Sequence, residues 1–241
     1  MHNRVYIQKD KLEVGKVYNL SIEESHHLIH VRRFSSGDII EITCRSGNIF
    51  KGIIKKVTHP VEVEISEMIS GPFSNLIIHL YYGLTKFKAL ESAVSRCAEL
   101  GVNIFTPVIC EHSVLTKISS NRAVRLEKLV RESVKQSGQK SVMKIDLTLP
   151  SLSDLIREAS WDSYDRVFLF LPSSKKKLIE DYSGTQFHKV AVFIGPEGDF
   201  SSREVELFQK SSIESNTLGN YVLKSDTAAV AAVSSIRAIW S

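Results

Sequence analysis

The chain beyond residue 75 alternates between short apolar runs and longer amphipathic segments, and this alternation most constrains the fold. The apolar runs predict buried strands at residues 76–82, 104–109, 166–171, 190–194 and 213–218. The amphipathic segments predict helices at residues 86–100, 121–137, 151–159, 201–210 and 226–239. Strands that are apolar throughout are buried on both faces, which is typical of parallel sheets whose connections run through helices. The pattern therefore predicts an α/β domain with a mostly parallel sheet.

The first seventy residues have a different pattern. Short β-branched or alternating runs occur at residues 17–20, 39–43, 49–54 and 61–65, with turn residues between them. Short strands at such spacing are typical of a small all-β barrel. The pattern is lost from Ser66 to Ser74, where a Gly-Pro pair also occurs. We therefore predict two domains, covering residues 1–72 and 73–241.

Composition excludes several classes of protein. The chain has 241 residues, a formal net charge of +4 and 43% hydrophobic residues, which is ordinary for a globular protein. The odd number of cysteines (Cys44, Cys97 and Cys110) without paired spacing disfavours a disulfide framework and a zinc knuckle. No run reaches the roughly 18 apolar residues of a membrane span. The first ten residues lack the apolar segment of a secretory signal, so we expect a cytoplasmic protein.

A histidine cluster lies at residues 26–30. His26 and His30 are four residues apart, but a zinc-protease helix needs a glutamate directly after the first histidine, and His27 stands there. Arg32 and Arg33 follow and would place two positive charges beside a metal. We expect no metal ligand here, and a structural or RNA-facing cluster instead.

The predicted helix at residues 121–137 carries cations every three or four residues: Arg122, Arg125, Lys128, Arg131 and Lys135. This spacing places side chains close together on a helix surface. Two interpretations are open. The cations form either a solvated basic face or a stripe that binds RNA phosphates, where clustered cations gain from counterion release.

Two loops follow predicted strands, at residues 194–200 and 218–227. Ligands of open α/β sheets bind outside the carboxyl ends of the strands, so both loops lie where a cofactor would bind. Neither loop has the dinucleotide fingerprint or a Walker lysine. Glu197 and Asp199 would repel a pyrophosphate and suit a cofactor with positive charge and no phosphate, such as S-adenosylmethionine. A tight strand-to-helix turn without a ligand is the alternative. A serine hydrolase is disfavoured, because no Gly-x-Ser-x-Gly elbow is present.

Four segments in order along the chain resemble those of the RsmE family, SPOUT-superfamily enzymes that methylate N3 of a uridine in 16S ribosomal RNA. The segments are His27–Arg33 leading to Gly37-Asp38, Ala98–Val102, Ile194–Ser201 and Leu218–Ala228. The resemblance implies a PUA-like β-barrel followed by a SPOUT α/β domain with a trefoil knot. It also implies a homodimer that binds S-adenosylmethionine and acts on 16S rRNA in the small ribosomal subunit, with no membrane and no metal.

The resemblance and the strand-end positions together give candidate site residues. Those for the cofactor are Leu171, Gly195, Pro196, Glu197, Gly198, Leu218, Gly219, Val222 and Leu223. Those for catalysis are Lys224, Glu197 and Asp226, for anion stabilisation or for base and orientation roles. Those for RNA are Arg32, Arg33, Lys86, Arg125, Arg131, Gln139 and Lys140.

The chain departs from the family pattern at five positions, the first of which is Arg32 in place of an apolar residue. Asp199 replaces a glycine, Lys224 an arginine and Asp226 a glutamate, while Gln139 stands where the family has an arginine. The last change puts one RNA contact in doubt, because lysine at the neighbouring position cannot copy the bidentate fork of arginine. Two alternatives stay open: a SPOUT methyltransferase with another RNA target, and a catalytically inert RNA-binding assembly factor on the same fold.

Overall fold

A computed structural model describes residues 4–44, 48–69, 76–137, 142–178 and 185–240. The chain divides into two compact units. Unit 1 comprises residues 1–73 with 134–142, and unit 2 comprises residues 74–133 with 143–241. The predicted boundary at residues 72 and 73 lies outside the described residues.

Unit 1 contains a five-stranded mixed sheet. Its strands are β1 (Arg4–Ile7), β2 (Val17–Asn19), β3 (Ile39–Cys44), β4 (Ile49–Lys56) and β5 (Glu62–Met68). They lie in the order β1-β3-β4-β5-β2, with β1 and β3 parallel and the other pairs antiparallel. In β5, Val63 and Ile65 are buried while Glu62 and Glu64 are more exposed, as expected for a sheet with one face on a core. The four predicted strands of this region are confirmed.

Sequence reasoning missed two elements of unit 1. Strand β1 has only four residues and sits beside β3, to which it is joined by an Arg4–Glu41 ion pair. Helix α1 (Ile22–His26) begins after Ser21, whose hydroxyl accepts a hydrogen bond from the backbone N–H of Glu24. The helix continues as a π-helical turn over residues 27–31, where Leu28 is buried in the core.

Unit 2 contains a six-stranded sheet in which every described pair is parallel. Its strands are β6 (Ile77–Gly83), β7 (Ile104–Val108), β8 (Lys144–Ile145), β9 (Arg166–Phe170), β10 (Lys189–Ile194) and β11 (Ser215–Asn216). They lie in the order β11-β9-β10-β6-β7-β8. The helices are α2 (Phe87–Glu99), α3 (Ser120–Ser137), α4 (Leu152–Glu158), α5 (Ser202–Lys210) and α6 (Ser225–Trp240), and the last four residues of α3 belong to unit 1. The parallel α/β architecture predicted from the sequence is confirmed.

Side chains on the two faces of this sheet meet different partners. Tyr81 and Phe193 point to one face and stack at a centroid distance of 4.7 Å, in a core that includes Phe208 of α5. Tyr82 points to the other face, where its hydroxyl donates to Ser225 Oγ at 2.9 Å, at the start of α6. Each buried aromatic or aliphatic side chain stabilises the fold by about 1.5–3 kcal/mol, so both faces contribute to the stability of the sheet.

The register brings four strand ends to one edge. Ile194, the last residue of β10, pairs with Tyr82 of β6 and with Phe170 at the end of β9. Asn216, the last residue of β11, also pairs with Phe170. The loops that leave these strands therefore start side by side. Helix α5 begins directly after the loop that follows β10, with a capping box between Ser201 and Glu204.

Candidate active site at the strand ends

A cavity opens where β9, β10 and β11 end. Three loops and the start of α6 line it. The lining residues are Phe170, Leu171, Pro172, Ile194, Gly195, Pro196, Glu197, Asp199, Thr217, Leu218, Gly219, Tyr221, Val222, Leu223, Ser225 and Ala228. Eight of the nine residues proposed from the sequence for the cofactor are among them, and Gly198 is not.

Glycines allow the loop after β10 to approach its neighbours closely. A Cβ on Gly83, at the end of β6, would lie 2.5 Å from both the ring Cδ and the nitrogen of Pro196. A Cβ on Gly195 would lie 2.8 Å from the Asp199 Oδ1 atom. Gly83 therefore needs glycine for space, whereas a side chain at Gly195 would displace the Asp199 carboxylate. Gly219 needs glycine for its φ of +129°.

The loop after β10 is held from outside by His112. The Nδ1 atom of His112 lies 2.9 Å from the carbonyl oxygen of Gly198 and 3.0 Å from that of Asp199. Two carbonyl acceptors require that Nδ1 carries the proton and donates it. Gly198 thus packs against His112 rather than lining the cavity. No sequence signal predicts this contact, because His112 is 86 residues from Gly198 and belongs to no motif.

Glu204 makes a second link between the same two segments. Its buried carboxylate accepts the backbone N–H of Ser201 at 2.8 Å and that of Glu111 at 2.9 Å. Glu204, which completes the capping box of α5, therefore also anchors the segment that carries His112. A loop fixed at both ends by hydrogen bonds gives a cavity wall of defined shape.

Asp199 has a left-handed backbone, with φ of +58°. Its Oδ1 atom accepts the backbone N–H of Phe200 at 2.8 Å, a local bond typical of aspartate in turns. The residue is half-buried, and burial raises the pKa of its carboxyl above the ordinary aspartate value. An acid in this cavity is therefore less easily ionised than a surface aspartate.

A second cavity shares Glu197, Val222, Leu223 and Ser225 with the first. Three lysines line it: Lys86, Lys88 and Lys224. All three residues proposed for catalysis, Lys224, Glu197 and Asp226, also line it. The two cavities are therefore neighbours, one with apolar walls and strand-end loops and the other rich in lysine.

The three candidate catalytic residues differ in how they are held. The Lys86 ammonium lies 3.7 Å from the Glu197 carboxylate, as an exposed ion pair. Asp226 accepts hydrogen bonds from Ser92 Oγ at 2.8 Å and from the backbone N–H of Thr227 at 3.0 Å. The Lys224 side chain is exposed and forms neither an ion pair nor a hydrogen bond with the residues that the structure describes, and the carbonyl oxygen of Lys224 accepts the backbone N–H of Ala228 at 2.8 Å.

The cations of α3 do not form a free stripe, since each has a partner. Arg125 pairs with Glu91, Arg131 with Glu127, Lys128 with Glu132 and Lys135 with Glu24, and Arg122 lies over the ring of Phe87. Pairing with acids weakens the attraction of a helix face for phosphate. It favours the interpretation as a solvated basic face, while RNA contact by Arg125 and Arg131 stays a prediction.

The remaining RNA candidates belong to unit 1. Arg33 is exposed with φ of +57°, and the Arg32 Nε atom lies 3.5 Å from the Nε2 atom of His27. The rings of His26 and His30 lie 4.6 Å apart, and His30 stacks on His59 at 5.7 Å. Among the residues in the described ranges, no group of three or more His, Cys, Asp or Glu side chains could hold a metal. Gln139 and Lys140 lie outside the described residues.

Comparison with known proteins relates both units to RNA modification. The RNA methyltransferase domain family matches residues 73–237, and the RNA methyltransferase PUA domain family matches residues 21–66. The chain is 31% identical over 178 residues to the ribosomal RNA small subunit methyltransferase E of Aquifex aeolicus, covering 72% of this chain and 74% of that protein. It is 25% identical over 219 residues to ribosomal RNA small subunit methyltransferase E 2 of Borreliella burgdorferi, covering 89% and 88% of the two chains.

Two solved structures share the fold over nearly the full length. A protein from Legionella pneumophila, described as a methyltransferase in complex with bound SAM, has a TM-score of 0.84 and 27% identity, covering 99% and 98% of the two chains. The ribosomal RNA small subunit methyltransferase E of Neisseria gonorrhoeae, bound to S-adenosylmethionine, has a TM-score of 0.86 and 20% identity, covering 100% and 98%. No helix in the described part of the chain is long and apolar enough to span a membrane.

Proposed function

Because the chain belongs to the ribosomal RNA small subunit methyltransferase E family of RNA methyltransferases, we propose that it transfers the methyl group of S-adenosylmethionine to N3 of a uridine in 16S ribosomal RNA. The observation that carries this proposal is the pair of neighbouring cavities in unit 2. One is formed by the loops at the strand ends, and the other is lined by three lysines.

The strand-end cavity fits S-adenosylmethionine chemically. The cofactor has no phosphate, a flat adenine and a sulfonium with permanent positive charge, and when bound it supplies an electrophilic methyl group. Apolar side chains such as Leu171, Ile194 and Leu218 suit the adenine. Backbone groups at Gly195 and Gly219 are accessible to its polar atoms. The acids in the loop after β10 attract a cation and would repel a phosphate.

The lysine-rich cavity is the proposed place for the target uridine. N3 lies on the Watson–Crick edge, so the base must be unpaired or turned out of its helix before it can react. N3 also carries a proton, and negative charge develops on the base as this proton leaves. Lys224 is proposed to stabilise that charge, because its side chain is exposed in the cavity with no partner among the described residues.

Glu197 and Asp226 are proposed to position groups around the base. Glu197 lies in both cavities and pairs with Lys86, so it can orient that lysine toward the RNA. Asp226 already accepts two hydrogen bonds, which suits a fixed orientation role at the start of α6 rather than proton transfer. Positioning of N3 against the methyl carbon would supply much of the rate.

Residues 1–72 are proposed as the RNA-binding domain and residues 73–241 as the methyltransferase domain. The PUA match within the first range supports the first assignment. Arg32 and Arg33 are exposed enough to reach phosphates, and the other proposed RNA contacts are Arg125, Arg131, Gln139 and Lys140. Contacts to phosphate position an RNA, whereas contacts to bases or RNA shape select it.

The proposal extends to a homodimer, a trefoil knot in the methyltransferase domain, and action on the small ribosomal subunit in the cytoplasm. Membership of the family supports the knot and the ribosomal substrate, and the location follows from the location of that substrate. Tyr221 and Val222, at the rim of the strand-end cavity, have 85% and 82% of their surface exposed. Large apolar side chains so exposed suit a surface that a second protomer covers.

Two measurements on the purified protein test the proposal. Calorimetric titration with S-adenosylmethionine should show binding, and incubation with labelled cofactor and small subunits that lack the modification should transfer label to 16S rRNA. A protein that binds RNA but not the cofactor would be an inert assembly factor. Label on another RNA would identify a different target. Either result would overturn the proposal.

A further inference from the structure

Asp199 gives this cofactor cavity a negative charge at a defined place. The residue lines the strand-end cavity, and its Oδ1 atom lies beside Gly195, 2.8 Å from the position that a Cβ on Gly195 would take. The Phe200 N–H holds the carboxylate from one side. The carboxylate is therefore part of the fixed frame of the cavity.

The second acid of the cavity is placed differently. Glu197 is 38% exposed in its side chain, and Lys86 lies 3.7 Å from its carboxylate, so its charge is partly balanced. Asp199 is more enclosed and forms no ion pair with the residues that the structure describes. A charge that is enclosed and unbalanced acts more strongly on a ligand than an exposed and paired one.

His112 keeps Asp199 in this position. Its ring donates to the carbonyl oxygens of Gly198 and Asp199, which fixes the backbone on the far side of the loop. The left-handed φ of Asp199 is a conformation that aspartate and asparagine adopt more readily than most residues. The backbone at Asp199 is thus held in place, and the hydrogen bond from the Phe200 N–H fixes the side-chain carboxylate on it.

We propose that Asp199 determines the preference of this cavity for S-adenosylmethionine over S-adenosylhomocysteine. The substrate carries a positive sulfonium, and the product left after methyl transfer carries an uncharged thioether in the same place. A carboxylate in the cavity attracts the first and has no such attraction for the second. The residue therefore acts as a specificity determinant that favours release of the product. This inference rests on the proposed function.

The test compares the dissociation constants of both ligands for the wild-type chain and for Asp199→Asn. Asparagine keeps the acceptor for Phe200 and tolerates the left-handed backbone, so it removes the charge and little else. Sinefungin, in which a carbon bearing an amino group replaces the methylated sulfur, is the third ligand. It separates the effect of charge from that of the methyl group. Asp154→Asn, an exposed acid of α4 outside both cavities, is the matched control.

We expect Asp199→Asn to weaken S-adenosylmethionine and sinefungin by about tenfold, which corresponds to about 1.4 kcal/mol, and to leave S-adenosylhomocysteine within about twofold. Asp154→Asn should change none of the three. Equal weakening of all three ligands, or an unchanged ratio, would overturn the inference.

A second variant keeps the test decisive if asparagine disturbs folding. Asp199→Gly is compatible with the backbone, because glycine favours the left-handed region, and it should lose the same preference. A wild-type chain that binds none of the ligands would overturn the proposed function itself. A wild-type chain that binds all three with a ratio insensitive to both variants would overturn only the role of Asp199.

Discussion

The sequence singled out both the strand-end cavity and the basic helix α3, but it predicts the position of the cavity better than it predicts the free charge of the helix. The cavity gathers residues from segments as far apart as Phe170 and Ala228, because the parallel strands end at one edge of the sheet. The cations of α3 are close in sequence, but acids such as Glu91 and Glu24 from other segments pair with them. Sheet topology thus fixes where a site lies, whereas the free charge of a helix depends in part on acids from other segments, which the spacing of residues along the helix does not identify.

The largest effect should come from filling the cavity at Gly219. Gly219 and Gly15 both have positive φ, and a Cβ on either would meet no atom within 4 Å. Valine at either position therefore adds backbone strain of about 1–3 kcal/mol, while its Cβ meets no neighbouring atom. Gly219→Val should weaken S-adenosylmethionine binding by at least about a hundredfold, as measured by calorimetry, because its side chain enters the cofactor cavity.

Gly15→Val is the matched control, since it lies in a turn of unit 1. It should lower the thermal midpoint by a similar amount and leave cofactor affinity unchanged. Equal affinities in the two variants would show that the loop around Gly219 does not bind the cofactor.

A smaller effect is expected at the unpaired lysine of the second cavity. Lys224→Ala should lower kcat by about a hundredfold at most and leave the dissociation constant of S-adenosylmethionine within about twofold, because the lysine acts on charge that develops in the base. Labelled-methyl transfer at saturating RNA measures this. Lys210→Ala, an exposed lysine at the end of α5, is the control and should keep full activity. If Lys224→Ala weakened cofactor binding and left kcat unchanged, Lys224 would act on the cofactor rather than on the uridine, which would contradict its proposed role.

The basic helix should show a still smaller effect. The double change Arg125→Glu and Arg131→Glu should weaken RNA binding by about tenfold and reduce the log–log salt slope by about 0.7–0.9 for each phosphate that the helix no longer neutralises. Filter binding over a range of salt concentrations measures both quantities. An unchanged slope would show that α3 is a solvated face that neutralises no RNA phosphate, unlike the cavity, whose predicted role would stand.

The smallest effect should come from the hydrogen bond that joins β6 to the start of α6. Tyr82→Phe removes the buried hydrogen bond to Ser225, which costs about 0.5–1.5 kcal/mol of folding stability. Burial raises the pKa of Tyr82 to about 12, so the phenol is neutral and this cost should not vary between about pH 6 and pH 9. Urea denaturation gives the change. A pH-dependent difference between wild type and variant in that range would contradict this description of the bond.

The sequence predicted the order of the helices and of the other strands in residues 76–240, and the edge at which the site lies, but it did not predict the two-residue strand β8. These features follow from apolar periodicity, turn residues and the geometry of parallel sheets. The α1 helix was missed because its polar and histidine-rich sequence lacks a clear apolar stripe, and β1 because it is short.

Long-range contacts of side chains were beyond sequence reasoning. Nothing in the sequence pairs His112 with the carbonyls of Gly198 and Asp199, or shows that Gly198 faces away from the cavity. The acid at position 199 was visible in the sequence, and its left-handed backbone and enclosed place required the structure.

The position of the transferred methyl group tests the central claim most directly. Assembled small subunits, naked 16S rRNA and a short uridine-bearing hairpin would be incubated with the protein and labelled S-adenosylmethionine under one salt condition, and the products mapped by mass spectrometry. The formal net charge of +4 is too small to select one uridine in bare RNA by electrostatics alone, so shape supplied by the particle is needed. We predict 3-methyluridine at one position, formed efficiently only in the assembled subunit. A methyl group at uridine C5, on another base or on a ribose hydroxyl would contradict the account.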